Sequence, residues 1–150
     1  MRPYIVAGLL FAAALAAVPP AIAQTAAVAG QRTPSPPGAE VYIISPKNGA
    51  TVHSPVLVQF GLKGMGVAPA GVKFDGTGHH HLLIDTEAPA DLGAPLPATD
   101  KIVHFGKGQT ETTVTLTPGK HTLQLLLADQ NHVPPQPPVI SKKITITVAQ

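Results

Sequence analysis

Thr117-Pro118-Gly119-Lys120-His121-Thr122-Leu123-Gln124-Leu125-Leu126-Leu127-Ala128-Asp129 is the stretch whose reading decides the fold. Its first four residues carry turn chemistry, because proline presets φ and glycine accepts backbone angles that other residues avoid. From His121 to Asp129 the pattern has period two, which puts Leu123, Leu125 and Leu127 on one face of a strand. A turn feeding a long strand with one apolar face needs a second layer to cover that face.

Working outward, the same period recurs. Ile144, Ile146 and Val148 alternate with Thr145 and Thr147, and Val114 and Leu116 face inward where Thr113 and Thr115 face out. Ile102 to Phe105 and His79 to Asp85 are further short runs, while Val56, Val58 and Phe60 share a face within Val52 to Leu62. Val41 to Ile44 is closed by the turn Ser45-Pro46-Lys47-Asn48-Gly49. Loops rich in Gly and Pro lie between them, at Gly61 to Gly71 and Pro89 to Pro97, and no helical periodicity outlasts one turn. About seven short strands at hairpin spacing predict an all-β protein, an immunoglobulin-like antiparallel β-sandwich.

The corner before the decisive strand strengthens that expectation. In immunoglobulin-like domains a tyrosine two residues ahead of an inward core position bonds back to the backbone of the E–F corner. His121 stands in that place, two residues ahead of Leu123, so it is expected to be structural. His53, before Ser54-Pro55, is expected to be an ordinary surface residue.

The amino terminus reads as an address. Arg2 is a positive n-region, Ile5 to Val18 is apolar, and Ala21-Ile22-Ala23 is a small-x-small cleavage signal. The apolar run falls short of the roughly 20 residues a spanning helix needs, and Pro19-Pro20 stops it. Residues 1–23 are therefore expected to be a signal peptide, 24–39 a flexible Pro/Ala-rich leader, and 40–150 the sandwich domain. That organisation implies a periplasmic or secreted protein with no membrane span after cleavage.

Composition removes several functions. The chain has no cysteine, which excludes disulfides, thiolate metal sites and a cysteine nucleophile. Ten Lys and Arg against eight acids give a formal charge of +2 with no basic cluster, so nucleic acid is not an expected partner. Gly106-Lys107-Gly108-Gln109-Thr110 lacks the spacing and following helix of a phosphate-binding loop and reads as a connection between strands. Pro134-Pro135-Gln136-Pro137-Pro138 reads as a stiffened loop that helps hold His132.

Seven histidines are the main chemical signal. In Gly78-His79-His80-His81-Leu82-Leu83-Ile84-Asp85, strand alternation sends His79 and His81 to one face with Asp85, and His80 to the other with Leu82 and Ile84. Imidazoles at i and i+2 on one strand face can share a metal ion. His104 and His132 are the candidates for further ligands. His80, Asp85 and Asp129 are candidate additional ligands or acceptors that orient an imidazole. Three or four imidazoles suit Zn(II), Cu(II) or Ni(II), with Cu or Zn as the expected cofactor, and do not suit Ca(II) or Mg(II). The competing reading is that histidines on strands are buried, hydrogen-bonded structural groups.

Ile44 to Ala50, Gly78 to Asp85, His104 to Thr110, Pro118 to Leu123 and Asp129 to Pro134 together resemble the bacterial domain-of-unknown-function family 4399. The resemblance covers nearly the whole expected domain and implies export and a compact β domain, with no agreed activity. A looser similarity is to small periplasmic copper carriers with an immunoglobulin-like sandwich. Those use the first histidine of the mature chain, where this chain is expected to begin with Gln24. The cysteine pair and His-x-His signature of copper–zinc superoxide dismutase are not reproduced.

Two functions follow from the residues. One is an exported metal-binding protein using His79, His81, His104 and His132. The other is a non-catalytic immunoglobulin-like module that binds an envelope protein or a glycan, its histidines fixing loops by hydrogen bonds. An enzyme is the weakest expectation, because the chain has neither a serine-nucleophile motif nor a partnered pair of catalytic carboxylates.

Overall fold

A computed structural model describes residues 32–150. The expected signal peptide and the first part of the leader, residues 24–31, lie outside the described residues. Nine strands follow in order: β1 (Glu40–Ser45), β2 (Thr51–Val52), β3 (Val56–Lys63), β4 (Gly66–Val67), β5 (Thr77–Ile84), β6 (Ile102–His104), β7 (Glu111–Val114), β8 (Gly119–Ala128) and β9 (Ile144–Val148). The described residues contain no helix.

All seven expected strands are present. The count rises to nine because Val52 to Leu62 divides at Ser54-Pro55 into β2 and β3, and because Gly66–Val67 forms a two-residue strand inside the expected loop. Both additions are parallel pairings, β2 with β9 and β4 with β5, within an otherwise antiparallel arrangement. The sandwich therefore has a three-stranded sheet, β1-β3-β7, facing a larger one ordered β2-β9-β8-β5-β4, with β6 also pairing β5.

The alternation in the sequence builds the space between the sheets. Val41, Val56, Val58 and Phe60 from the small sheet meet Leu82, Ile84, Leu123, Leu125, Leu127, Ile146 and Val148 from the large one, all buried. Each such side chain contributes roughly 1.5–3 kcal/mol of transfer free energy, so this layer is the main stabilising unit. His121 occupies the corner as expected. Its Nε2 lies 2.8 Å from the Thr117 carbonyl four residues upstream.

The large sheet is covered on its outer face too. Leu83, Leu126 and Ala128 point away from the sandwich interior and pack with Ile102 and Leu96, with Ala88 and Leu92 of the 86–101 connection against them. That second layer is why every residue of β5 from Gly78 to Ile84 is buried. Gly78 also allows close approach to β8, since a β-carbon there would stand 2.6 Å from the Ala128 carbonyl oxygen.

The described end of the expected leader lies against the domain. Pro34 bridges to Gln136, the Ser35 N–H donates to the Gln136 carbonyl at 3.1 Å, and the Gln136 N–H donates to the Thr33 carbonyl at 2.8 Å. A Pro-rich segment has few donors and no apolar bulk, so composition alone does not reveal this docking.

Candidate metal centre

Register assembles the site on the roofed outer face of the large sheet. In the antiparallel pairing of β5 with β6, His81 stands opposite His104 and Leu83 opposite Ile102. Opposed residues share a face, so His104 joins the face of His79 and His81. On the other flank His79 is paired with Ala128 and His81 with Leu126. Just beyond Ala128 the chain turns back and brings His132 over the same face.

The four rings cluster on this face. His79 lies 4.9 Å from His81 and 4.9 Å from His104 between centroids, and His81 lies 5.1 Å from His104. His132 is 4.8 Å from His104, 5.1 Å from His79 and 6.2 Å from His81. One ligand atom from each of His79, His81 and His104 falls within 4.8 Å of the others. Bonds of 2.0–2.1 Å to a tetrahedral Zn(II) imply nitrogens about 3.3 Å apart, so modest ring rotations close this set on an ion.

Burial leaves most of these nitrogens unsatisfied, as it does those of His80 in the interior. Both ring nitrogens of His79 and of His81, and Nε2 of His104, are buried with no hydrogen-bond partner. His79 and His81 are fully buried, whereas His104 and His132 are half-buried and form the side open to solvent. Burial lowers the pKa of His79 to about 4, reinforced by His104 and His132 and opposed by the Asp129 carboxylate. Burial takes His81 to about 3, with His79 and His104 adding to the shift, and His104 is lowered by burial and by His132. At neutral pH these imidazoles are uncharged, the form that coordinates a metal.

The other expected site residues are placed elsewhere. His80 points to the sandwich interior, its ring 5.2 Å from Phe60, and burial lowers its pKa to about 4. Asp85 does not share the face of His79 and His81. The strand ends at Ile84 and the backbone turns at Asp85 with φ of 52°. The Asp85 carboxylate takes the His121 Nδ1 at 2.7 Å and the Thr122 N–H at 2.7 Å. Asp129 accepts from no imidazole. Its Oδ1 accepts the N–H groups of Asn131 at 2.9 Å and Val133 at 3.1 Å, which shapes the turn presenting His132.

Two contributors were not singled out in the sequence. Gly106 lies against the His104 ring, and its position two residues after a histidine, at a strand end, is a faint signal. The roof supplied by Ala88, Leu92 and Leu96 lies in a stretch whose Pro and Gly content marks only a loop.

The sequence matches, over residues 58–149, the family described as domain of unknown function DUF4399. No curated protein and no solved structure matches the chain.

Proposed function

The chain belongs to the DUF4399 family of domains of unknown function, and from that premise we propose that it is an exported protein binding a transition metal. The ligands are His79, His81 and His104, with His132 as a fourth imidazole, and the metal is Cu or Zn. The observation that supports this reading is the convergence of His79, His81 and His104, whose ligand atoms lie within 4.8 Å of one another with ring nitrogens left without a partner. A buried polar atom without a partner costs roughly 1–3 kcal/mol, and a cluster of them is hard to account for as structure alone. A metal ion would give those nitrogens a partner. The donor set is nitrogen alone, which favours Zn(II), Cu or Ni(II) over oxygen-seeking Ca(II) and Mg(II). Export to the periplasm or beyond is supported by the signal-like pattern of residues 1–23.

The test is metal analysis of untagged protein purified without chelator, followed by thermal melts. Stoichiometric metal is expected, with a rise in melting temperature that His81→Ala abolishes. At metal concentrations 100-fold above Kd the stabilisation is about 2.7 kcal/mol. Absence of any stabilisation by Zn(II), Cu(I), Cu(II) or Ni(II) would sink the reading.

A second reading, an interaction module for an envelope protein, has its own observation. Tyr42, Ile44 and Leu57 are exposed on the three-stranded sheet, away from the histidines. It predicts that Tyr42→Ser with Ile44→Ser abolishes partner capture while metal content is unchanged.

A further inference from the structure

His132 holds its place at a conformational cost. Its φ is 66°, in the left-handed region that residues with a β-carbon rarely adopt. Such a residue costs on the order of 1–3 kcal/mol and persists only where its surroundings over-determine it. On the inner side the determinants are clear. The His132 N–H donates to the Asp129 carbonyl at 3.0 Å, the Asp129 N–H to the Val133 carbonyl at 2.9 Å, and the Leu96 N–H to the His132 carbonyl at 2.8 Å.

The outer side is Pro134-Pro135-Gln136-Pro137-Pro138, which has one backbone N–H in five residues. Such a segment cannot join a sheet ladder and must be held largely by donors from elsewhere. Arg32 provides them. Its Nε donates to the Pro134 carbonyl at 2.8 Å, and its terminal nitrogens donate to the Pro135 carbonyl and the Gln136 side chain. Thr33 donates its hydroxyl to Asp129 Oδ2 at 2.6 Å, on the carboxylate whose other oxygen shapes the His132 turn. Ser35 donates its hydroxyl to the Pro137 carbonyl at 2.8 Å.

We propose that residues 32–35 are a strap that positions His132, with Arg32 and Thr33 as positioning residues for the fourth imidazole of the metal centre. This rests on the metal-binding reading of His79, His81 and His104. Those three are placed by β5 and β6, independently of the strap, so the strap governs whether the site is a three-imidazole or a four-imidazole centre. Four protein ligands close a site, whereas three leave a position open to water or another molecule. The strap thereby sets how tightly the metal is held and how readily it exchanges.

The experiment is a titration with Co(II) and Zn(II) of the wild type, Arg32→Ala/Thr33→Val, His132→Ala, and the combination of all three substitutions. The Co(II) visible spectrum reports the ligand field. The strap variant is expected to keep one metal per chain, bind it about 10–100-fold more weakly, and show the Co(II) spectrum of His132→Ala. Adding the strap substitutions to His132→Ala is expected to cause no further loss, because the strap acts through that residue. Thr33→Ser, which keeps the hydroxyl, retains wild-type affinity. Wild-type affinity and spectrum in the strap variant overturn this proposal alone, as does an equal loss in the His132→Ala background. A wild type that binds none of Co(II), Zn(II), Cu(I), Cu(II) and Ni(II) overturns the metal reading beneath it. If the double substitution prevents folding, Arg32→Gln and Thr33→Val are measured singly against the same spectral criterion.

Discussion

Gly106 lies directly against the imidazole of His104. A β-carbon at position 106 would stand 2.3 Å from Cε1 and 2.5 Å from Nε2 of that ring. No backbone atom stands that close, so the ring is what a larger residue displaces. Gly106→Ala is therefore expected to displace the His104 ring from its present place beside His79 and His81 while leaving the β5–β6 pairing intact. Metal affinity falls about 10–100-fold, as for other substitutions that misorient a ligand. The melting temperature of the metal-free protein changes little. Competition titration against a chromophoric chelator checks the first expectation and calorimetry the second. Undiminished affinity would remove His104 from the ligand set.

His80 separates packing from chemistry. Flanked in sequence by two of the expected ligands, its ring instead packs on Phe60, with no well-formed hydrogen bond at either nitrogen and only the Gln109 backbone opposing the effect of burial. Replacing a buried group of this kind by an apolar one removes the desolvation penalty, worth roughly 1–3 kcal/mol. His80→Leu is expected to raise the urea midpoint of the metal-free protein without changing metal stoichiometry. A lower midpoint would show that the imidazole makes a polar contact the fold needs.

Stability of the metal-free protein is expected to fall in mild acid. His79 and His80 titrate near 4 and His81 near 3 in the folded state, against 6.5 when free of burial. Below 6.5 the unfolded chain takes up protons that the folded chain refuses. Stability is thus full above 6.5, falls as pH drops toward 4, and levels off below about 3, with a slope of at most about 1.4 kcal/mol per pH unit per histidine. Of the corner pair, His121 behaves oppositely and Asp85 does not. His121 is raised by Asp85, so its contribution is complete below 6.5 and fades as pH rises through the raised value. Asp85 is lowered by hydrogen bonds from Thr122 and His121 despite an opposing burial effect, so its contribution is present above 3.8 and lost in stronger acid. Urea unfolding from pH 4 to 8 checks both signs. The acid loss should persist in His121→Asn, and the alkaline fade should vanish.

Both ring nitrogens of His121 face pure acceptors, the Asp85 carboxylate and the Thr117 carbonyl. Satisfying both requires a proton on each nitrogen, which agrees with its raised pKa. This corner was legible in the sequence because a Pro-Gly turn and the offset from His121 to Leu123 are local. The shared face of His79 and His81 was legible for the same reason, since strand alternation needs only neighbours along the chain. Asp85 was misplaced by the same rule, because alternation fails where the backbone turns to positive φ.

The partnerships of His104 and His132 had no such local sign. His104 meets His81 only through the register between β5 and β6, and register depends on which residues two distant segments bury together. His132 arrives through a strained turn tied to Thr33, nearly a hundred residues earlier. The all-β class, the decisive strand from His121 and the pairing of two histidines on one face were determined by the order of residues, because turn chemistry and period-two burial act over a few positions. The four-ring cluster, its roof and its strap were decided by tertiary structure, because they depend on closing loops between segments whose own patterns do not mention one another.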